Sequence, residues 1–251
     1  MSYKLFIVYL LLAILLTACS TSTPIPATPI PTQQVWRVAY TAPLAILAQD
    51  FPACLDPNSN VAILIDEVPD SSGFDGHDFG FYWGDIQGIN QATFVLGYDQ
   101  LYVIVNNENS IDEISLGDIQ AVFNGSINRW DQLVNGGNNP TGNIHVWLYP
   151  QEDILYREAI QTGLIKQDIH ASTTLAPDPD AMRVEIEDDP NAIGILPGIW
   201  LSNGVKKLQI MEGNSQNTQQ PILVLTPDKP QGIALDWLLC LQKVVSDHLS
   251  Q

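Results

Sequence analysis

Ser115 to Leu133 reads SLGDIQAVFNGSINRWDQL, and this stretch decides the reading of the chain. Ser115 and Asp118 stand in an approximate capping-box relation, which predicts a helix over 115–123, and Gly125 supplies its C-terminal stop. Trp130 follows the turn. An aromatic residue at a turn after a helix usually fastens the loop to the core, so Trp130 reads as a packing anchor. Downstream, a strand over 144–148 leads into a helix over about 151–162. A helix over 178–188, strands over 192–196 and 222–225, and a long amphipathic helix over 233–249 complete that side. Upstream, strands are expected over 36–40, 61–65, 77–83 and 94–105, with a helix over 43–53 capped by Thr41. Such alternation is the signature of βαβ units and predicts an α/β architecture.

Composition narrows the function. The chain has 251 residues, with 10 Lys plus Arg against 28 Asp plus Glu, a formal net charge of −18. That balance gives no long-range attraction for phosphate backbones or anionic headgroups, so nucleic-acid partners are not expected. Hydrophobic residues make up 45% of the sequence, enough to build a core. The three cysteines fall in no metal-ligand spacing, and His77, His145, His170 and His248 are scattered. No H-E-x-x-H or G-x-S-x-G pattern is present. The expectation is a protein that is not an enzyme and carries neither cofactor nor metal.

The N-terminus sets the location. Lys4 precedes an apolar run from Leu5 to Leu16, too short for a bilayer span of about 20 residues and fitting a signal peptide. It ends in Leu16-Thr17-Ala18-Cys19, which resembles the bacterial lipoprotein signal. The resemblance implies a signal peptide over 1–18, acylation (palmitate among the chains) at Cys19, and a tether to the outer face of a bacterial membrane or its periplasmic side. Ser20 to Gln34, STSTPIPATPIPTQQ, is uncharged and rich in Pro, Ser and Thr. Together 19–35 read as anchor and spacer, roughly 40–50 Å long at about 3.1 Å per residue.

Three segments, in order, carry a family resemblance. In SLGDIQAVFNGSINRWDQL the positions Phe123, Gly125 and Trp130 match a signature of phosphate-type solute-binding proteins of bacterial ABC importers. DDPNAIGILPGIWL, Asp188 to Leu201, is similar to that family's Ala-Ile-Gly strand, with Ile195 where tyrosine is common. QQPILVLTPDKPQGIALDWLLCLQ, Gln219 to Gln242, resembles its last strand and closing helix. The resemblance spans Trp36 to Leu249 and implies a monomeric, two-lobed, type II periplasmic-binding-protein-like α/β fold. It implies a small-molecule ligand in a cleft and an ABC permease as partner. Lobe 1 is expected at 36–100 and 205–251, lobe 2 at 101–204. The crossovers fall near Tyr98 to Asn106 and Leu196 to Ile210.

The family's anion-binding turns are not kept. Where it shows Gly-Ser-Ser/Thr, this chain has Tyr40-Thr41-Ala42-Pro43-Leu44, with a single hydroxyl and a proline that removes a donor. The strand with an acidic ending corresponds to Asp78 to Trp83, placing the acid position on Trp83 or Asp85. Where Ser-Gly-Thr opens a helix, the chain reads Tyr149-Pro150-Gln151-Glu152-Asp153, and carboxylates in a first turn occupy the helix dipole themselves. The expected cleft residues are therefore Tyr40, Thr41, Tyr82, Trp83, Asp85, Tyr149, Gln151 and Glu152, an aromatic and acidic set suited to a neutral or cationic ligand. The other reading of this fold is a ligand sensor or structural surface lipoprotein without transport. Cys54 and Cys240 would belong to lobe 1, either as a disulfide or as two small buried hydrophobes.

Overall fold

The computed structural model describes residues 33–86, 91–133, 141–169, 173–211 and 219–250. The expected signal peptide, Cys19 and all of the spacer before Gln33 lie outside these residues, as does His170. Among these residues eleven strands alternate with helices. They are β1 (Gln34–Tyr40), β2 (Val61–Glu67), β3 (Phe79–Trp83), β4 (Ala92–Asn106), β5 (Glu113–Ser115), β6 (His145–Leu148), β7 (Thr174–Leu175), β8 (Ala192–Pro197), β9 (Val205–Lys207), β10 (Gln209–Met211) and β11 (Gln219–Thr226). The α-helices are α1 (Asp50–Ala53), α2 (Leu116–Phe123), α3 (Ile154–Gln161), α4 (Pro179–Asp188) and α5 (Ile233–Leu249).

One sheet runs in the order β2-β1-β3-β11-β4-β8-β6-β7, with β9 on the far end of β4, and β5 pairs β10 separately. The 15-residue β4 holds the two halves together. Its register follows β11 antiparallel from Ala92 to Gln100, then passes to β8 from Leu101 to Val105. In the first half β1, β2 and β3 are parallel, and β11 runs antiparallel to both β3 and β4. In the second half β6 and β7 run parallel to β8, whose last residue Pro197 faces Leu101. The carboxyl ends of both halves therefore point at the same level of β4.

The first half is built on rings. Phe51 and Phe81 stack at 4.5 Å between centroids, Phe79 meets Trp237 edge-on at 4.9 Å, and the Trp237 indole donates to the Phe51 carbonyl at 2.8 Å. Beside this cluster Cys54 and Cys240 are joined in a disulfide that ties α1 to α5 across 186 residues. The opposite face of the sheet carries only a small cluster of Ala39, Phe74, Leu223 and Leu225. In the second half α2 starts as its sequence requires: Ser115 Oγ accepts from the Asp118 amide at 3.0 Å, and Gly125 closes it at φ +79°. Trp130 is fully buried, a packing anchor.

Three expectations need correction. The helix over 43–53 is a 3-10 helix over Ala42–Leu47 followed by the four-residue α1, because Pro52 has no amide for the turn before it. The helix over 151–162 begins only at Ile154, since Asp153 serves as its cap. The lobe boundary at 205 is too early: β9 pairs β4 in the second half and β10 pairs β5, so the chain regains the first half only with β11. Among the described residues no helix is long and apolar enough to cross a membrane.

Candidate functional site

In open α/β sheets ligands bind beyond the carboxyl ends of the strands. Here the two carboxyl edges confront each other where β4 changes partner, and every site residue expected from the sequence lies at one of them.

A buried carboxylate holds the centre. Asp99, 3% exposed, accepts from the Trp83 indole at 3.0 Å, the Gln100 amide at 2.7 Å and the Ile199 amide at 3.3 Å. Burial pushes its pKa up, and these donors only partly oppose that. Gly198 is required by this packing, because a Cβ there would sit 2.5 Å from Asp99 Oδ1. Trp83 is thus a core ring clamped to Asp99 and presents no face to a cleft, which corrects its assignment as lining.

Thr41 and Tyr149 need the same correction. Thr41 takes the N-cap position, but Pro43 removes one amide and the Leu44 amide bonds the Thr41 carbonyl, so the buried Oγ1 finds no partner. Tyr149 is 1% exposed with its hydroxyl likewise unpartnered. Burial pushes that phenol well above its usual pKa, and Asp153 and Asp178 add to the shift. The other expected residues stay accessible. Tyr40 and Tyr82 are half-buried, while Asp85, Gln151 and Glu152 are exposed.

The helix N-termini of the second half are filled from within. Asp153 caps α3 by accepting from the Leu155 amide at 2.7 Å, and Asp178 caps α4 by accepting from the Ala181 amide at 2.8 Å. On one face of the sheet the halves touch directly. Gln220 of β11 donates to Glu158 of α3 at 2.5 Å, and a Cβ on Gly84 would lie 3.7 Å from Ile154 Cδ1. Burial and the nearby Asp85 raise the pKa of Glu158, against the Gln220 hydrogen bond. Tyr82 lies within electrostatic reach of Arg157 and Glu158, and its ring meets Phe74 edge-on at 6.4 Å. On the other face a cavity of about 750 Å³ opens between the Ala42–Leu47 helix and the start of α4.

Sequence reasoning missed Asp99, whose signal was a lone acid inside the apolar strand FVLGYDQLYVIV. It also missed Glu67 and Asp178, which line the cavity and carry no motif.

The opposed edges, the long shared β4 and the antiparallel β11 define a type II periplasmic-binding-protein-like fold. Solved structures share it. A protein described as a phosphate ABC transporter substrate-binding protein, from Clostridium perfringens and with bound phosphate, aligns at TM-score 0.68 and 13% identity over 86% of this chain and 98% of that one. An ABC-type phosphate transport receptor from Vibrio cholerae aligns at TM-score 0.57 and 14% identity, over 86% and 97%. The reduced OxyR regulatory domain of Pseudomonas aeruginosa aligns at TM-score 0.57 and 9% identity, over 85% and 99%. No family description and no curated sequence matches the chain. The likeness is one of fold, shared with binding proteins and with regulatory domains.

Proposed function

We propose that the protein is an exported, lipid-anchored solute-binding protein that presents a small organic molecule to an ABC permease, and that this molecule is not phosphate. One observation carries the reading: at the opposed carboxyl edges, where amides would meet an anion, Asp153 and Asp178 already accept from the Leu155 and Ala181 amides. A phosphate would have to displace a carboxylate or sit beside it, and both are unfavourable. Pro43 removes a donor from the facing turn. The accessible residues Tyr40, Tyr82, Asp85, Gln151 and Glu152 are the ligand contacts the sequence proposes, and none of them lines the cavity between the Ala42–Leu47 helix and α4. Cys19 is the proposed lipid attachment point, with 1–18 as the cleaved signal.

Two measurements test this. Native mass spectrometry of the delipidated protein from its own host is expected to show a retained small molecule. A thermal shift with micromolar phosphate is expected to be flat, and robust stabilisation by phosphate would overturn the reading. The OxyR regulatory domains use this fold in regulation, which favours ligand sensing as the second reading. A permease and an ATPase encoded beside the chain support import, and a neighbouring histidine kinase supports sensing.

A further inference from the structure

The cavity of about 750 Å³ has walls from both halves of the sheet. Ala45 and Ile46 of the 3-10 helix, with Trp200 and Leu201 just after β8, give it an apolar side. Trp200 is fixed there by its indole, which donates to the Pro43 carbonyl at 2.7 Å. The polar side is mixed, with Gln49, Ser202, Arg183 and His248 beside the carboxylates of Glu67, Asp178 and Asp180. Glu67 comes from the end of β2 in the first half, and Asp178 from the start of α4 in the second.

Among the described residues, the basic side chains that line the cavity, Arg183 and His248, face carboxylates other than this pair. Arg183 also lines the cavity, but its guanidinium is spent on Asp180 at 2.7 Å and Glu187 at 2.9 Å. His248 lies 3.9 Å from Asp50. Glu67 accepts from the Tyr40 hydroxyl at 3.2 Å, a neutral donor, and Asp178 caps an amide. Two carboxylates on opposing walls repel each other as the walls approach, and a cation placed between them removes that cost. The apolar side adds a preference for a cation that carries hydrocarbon.

Resting on the solute-binding reading above, we infer that this cavity takes an organic ammonium or guanidinium ion. Its charged head sits between Glu67 and Asp178, and its alkyl part lies along Ala45, Ile46 and Trp200. Binding thereby joins the two halves of the sheet.

Cadaverine and 1,5-pentanediol are matched in length and differ in charge, so calorimetric titration with each at low salt decides the point. Cadaverine is expected to bind at one site per chain and to weaken as salt is raised, with the diol and magnesium chloride silent. Glu67→Gln and Asp178→Asn are each expected to weaken cadaverine about tenfold or more. Asparagine retains the cap on α4, so the second variant stays folded. Glu113→Gln, at an exposed acid on β5 outside the cavity, should leave binding unchanged. Equal binding of the diol, a silent cadaverine titration, or cadaverine binding indifferent to both variants overturns the assignment. A neutral or anionic molecule retained from the host beside a silent cadaverine titration refutes the cation class alone. A protein that retains nothing and is also silent to cadaverine refutes the solute-binding reading with it.

Discussion

The two halves of the sheet bring the same kind of edge to the same place and seal it by different means. The first half loses one amide donor to Pro43 and leaves the Thr41 hydroxyl buried without a partner. The second keeps its helix amides and fills them with Asp153 and Asp178. The supports differ as well. Rings and a disulfide hold the first half, whereas the second packs aliphatic side chains together with Phe123, Trp130 and Tyr149 and caps its helix starts. The two edges thus differ in how their amides are met, one short of a donor at Pro43 and the other capped by carboxylates.

The largest effect that sharpens this contrast is the disulfide. Cys54→Ser with Cys240→Ser is expected to lower stability by about 5 kcal/mol in the chain-entropy model, read by urea denaturation. Protease cleavage should then appear first around α1 and α5, and cleavage confined to the second half would break the comparison. Trp237→Ala is next, at about 3–5 kcal/mol, because its ring is fully buried among four other aromatic residues.

The two seals can be opposed directly. Asp153→Ala should cost about 1 kcal/mol by losing a cap. Thr41→Val should be neutral or stabilising by up to about 1 kcal/mol, since it removes a buried hydroxyl that bonds nothing. Equal destabilisation by the two changes, measured by thermal unfolding, would erase the asymmetry.

Asp99 gives the smallest and most diagnostic effect. Burial raises its pKa in the folded state, so between the unfolded and folded values the native protein binds more protons than the unfolded one. Its contribution therefore destabilises at neutral pH and is relieved as the pH falls into the carboxylate range. Asp153 and Glu158 shift the same way, mainly through burial. The melting temperature is expected to rise on mild acidification, and Asp99→Asn should flatten that rise.

How far the sequence reaches can be judged residue by residue. The cap at Ser115, the stop at Gly125 and both ends of α5 were legible, because local chemistry alone decides them. β4 was legible as a strand. Its division between two sets of partners was not, since register belongs to pairs of strands. The edge position of Tyr40, Tyr82, Trp83 and Tyr149 could be placed by alignment to strand ends. Which of those rings turns inward depends on packing: Trp83 is drawn in by Asp99, sixteen residues later in the chain. Glu67 and Asp178 line one cavity from opposite halves, and no window of sequence contains both.

The bridge from Cys54 to Cys240 also has a mechanical side. A pull delivered through the chain ahead of Gln33 acts on β1, and only the short stretch as far as Cys54 can be drawn out before the crosslink takes the load. Everything between the two cysteines, including all of the second half of the sheet, is shielded from that pull. Tension applied at the amino end would thus leave the far half of the sheet in its shape.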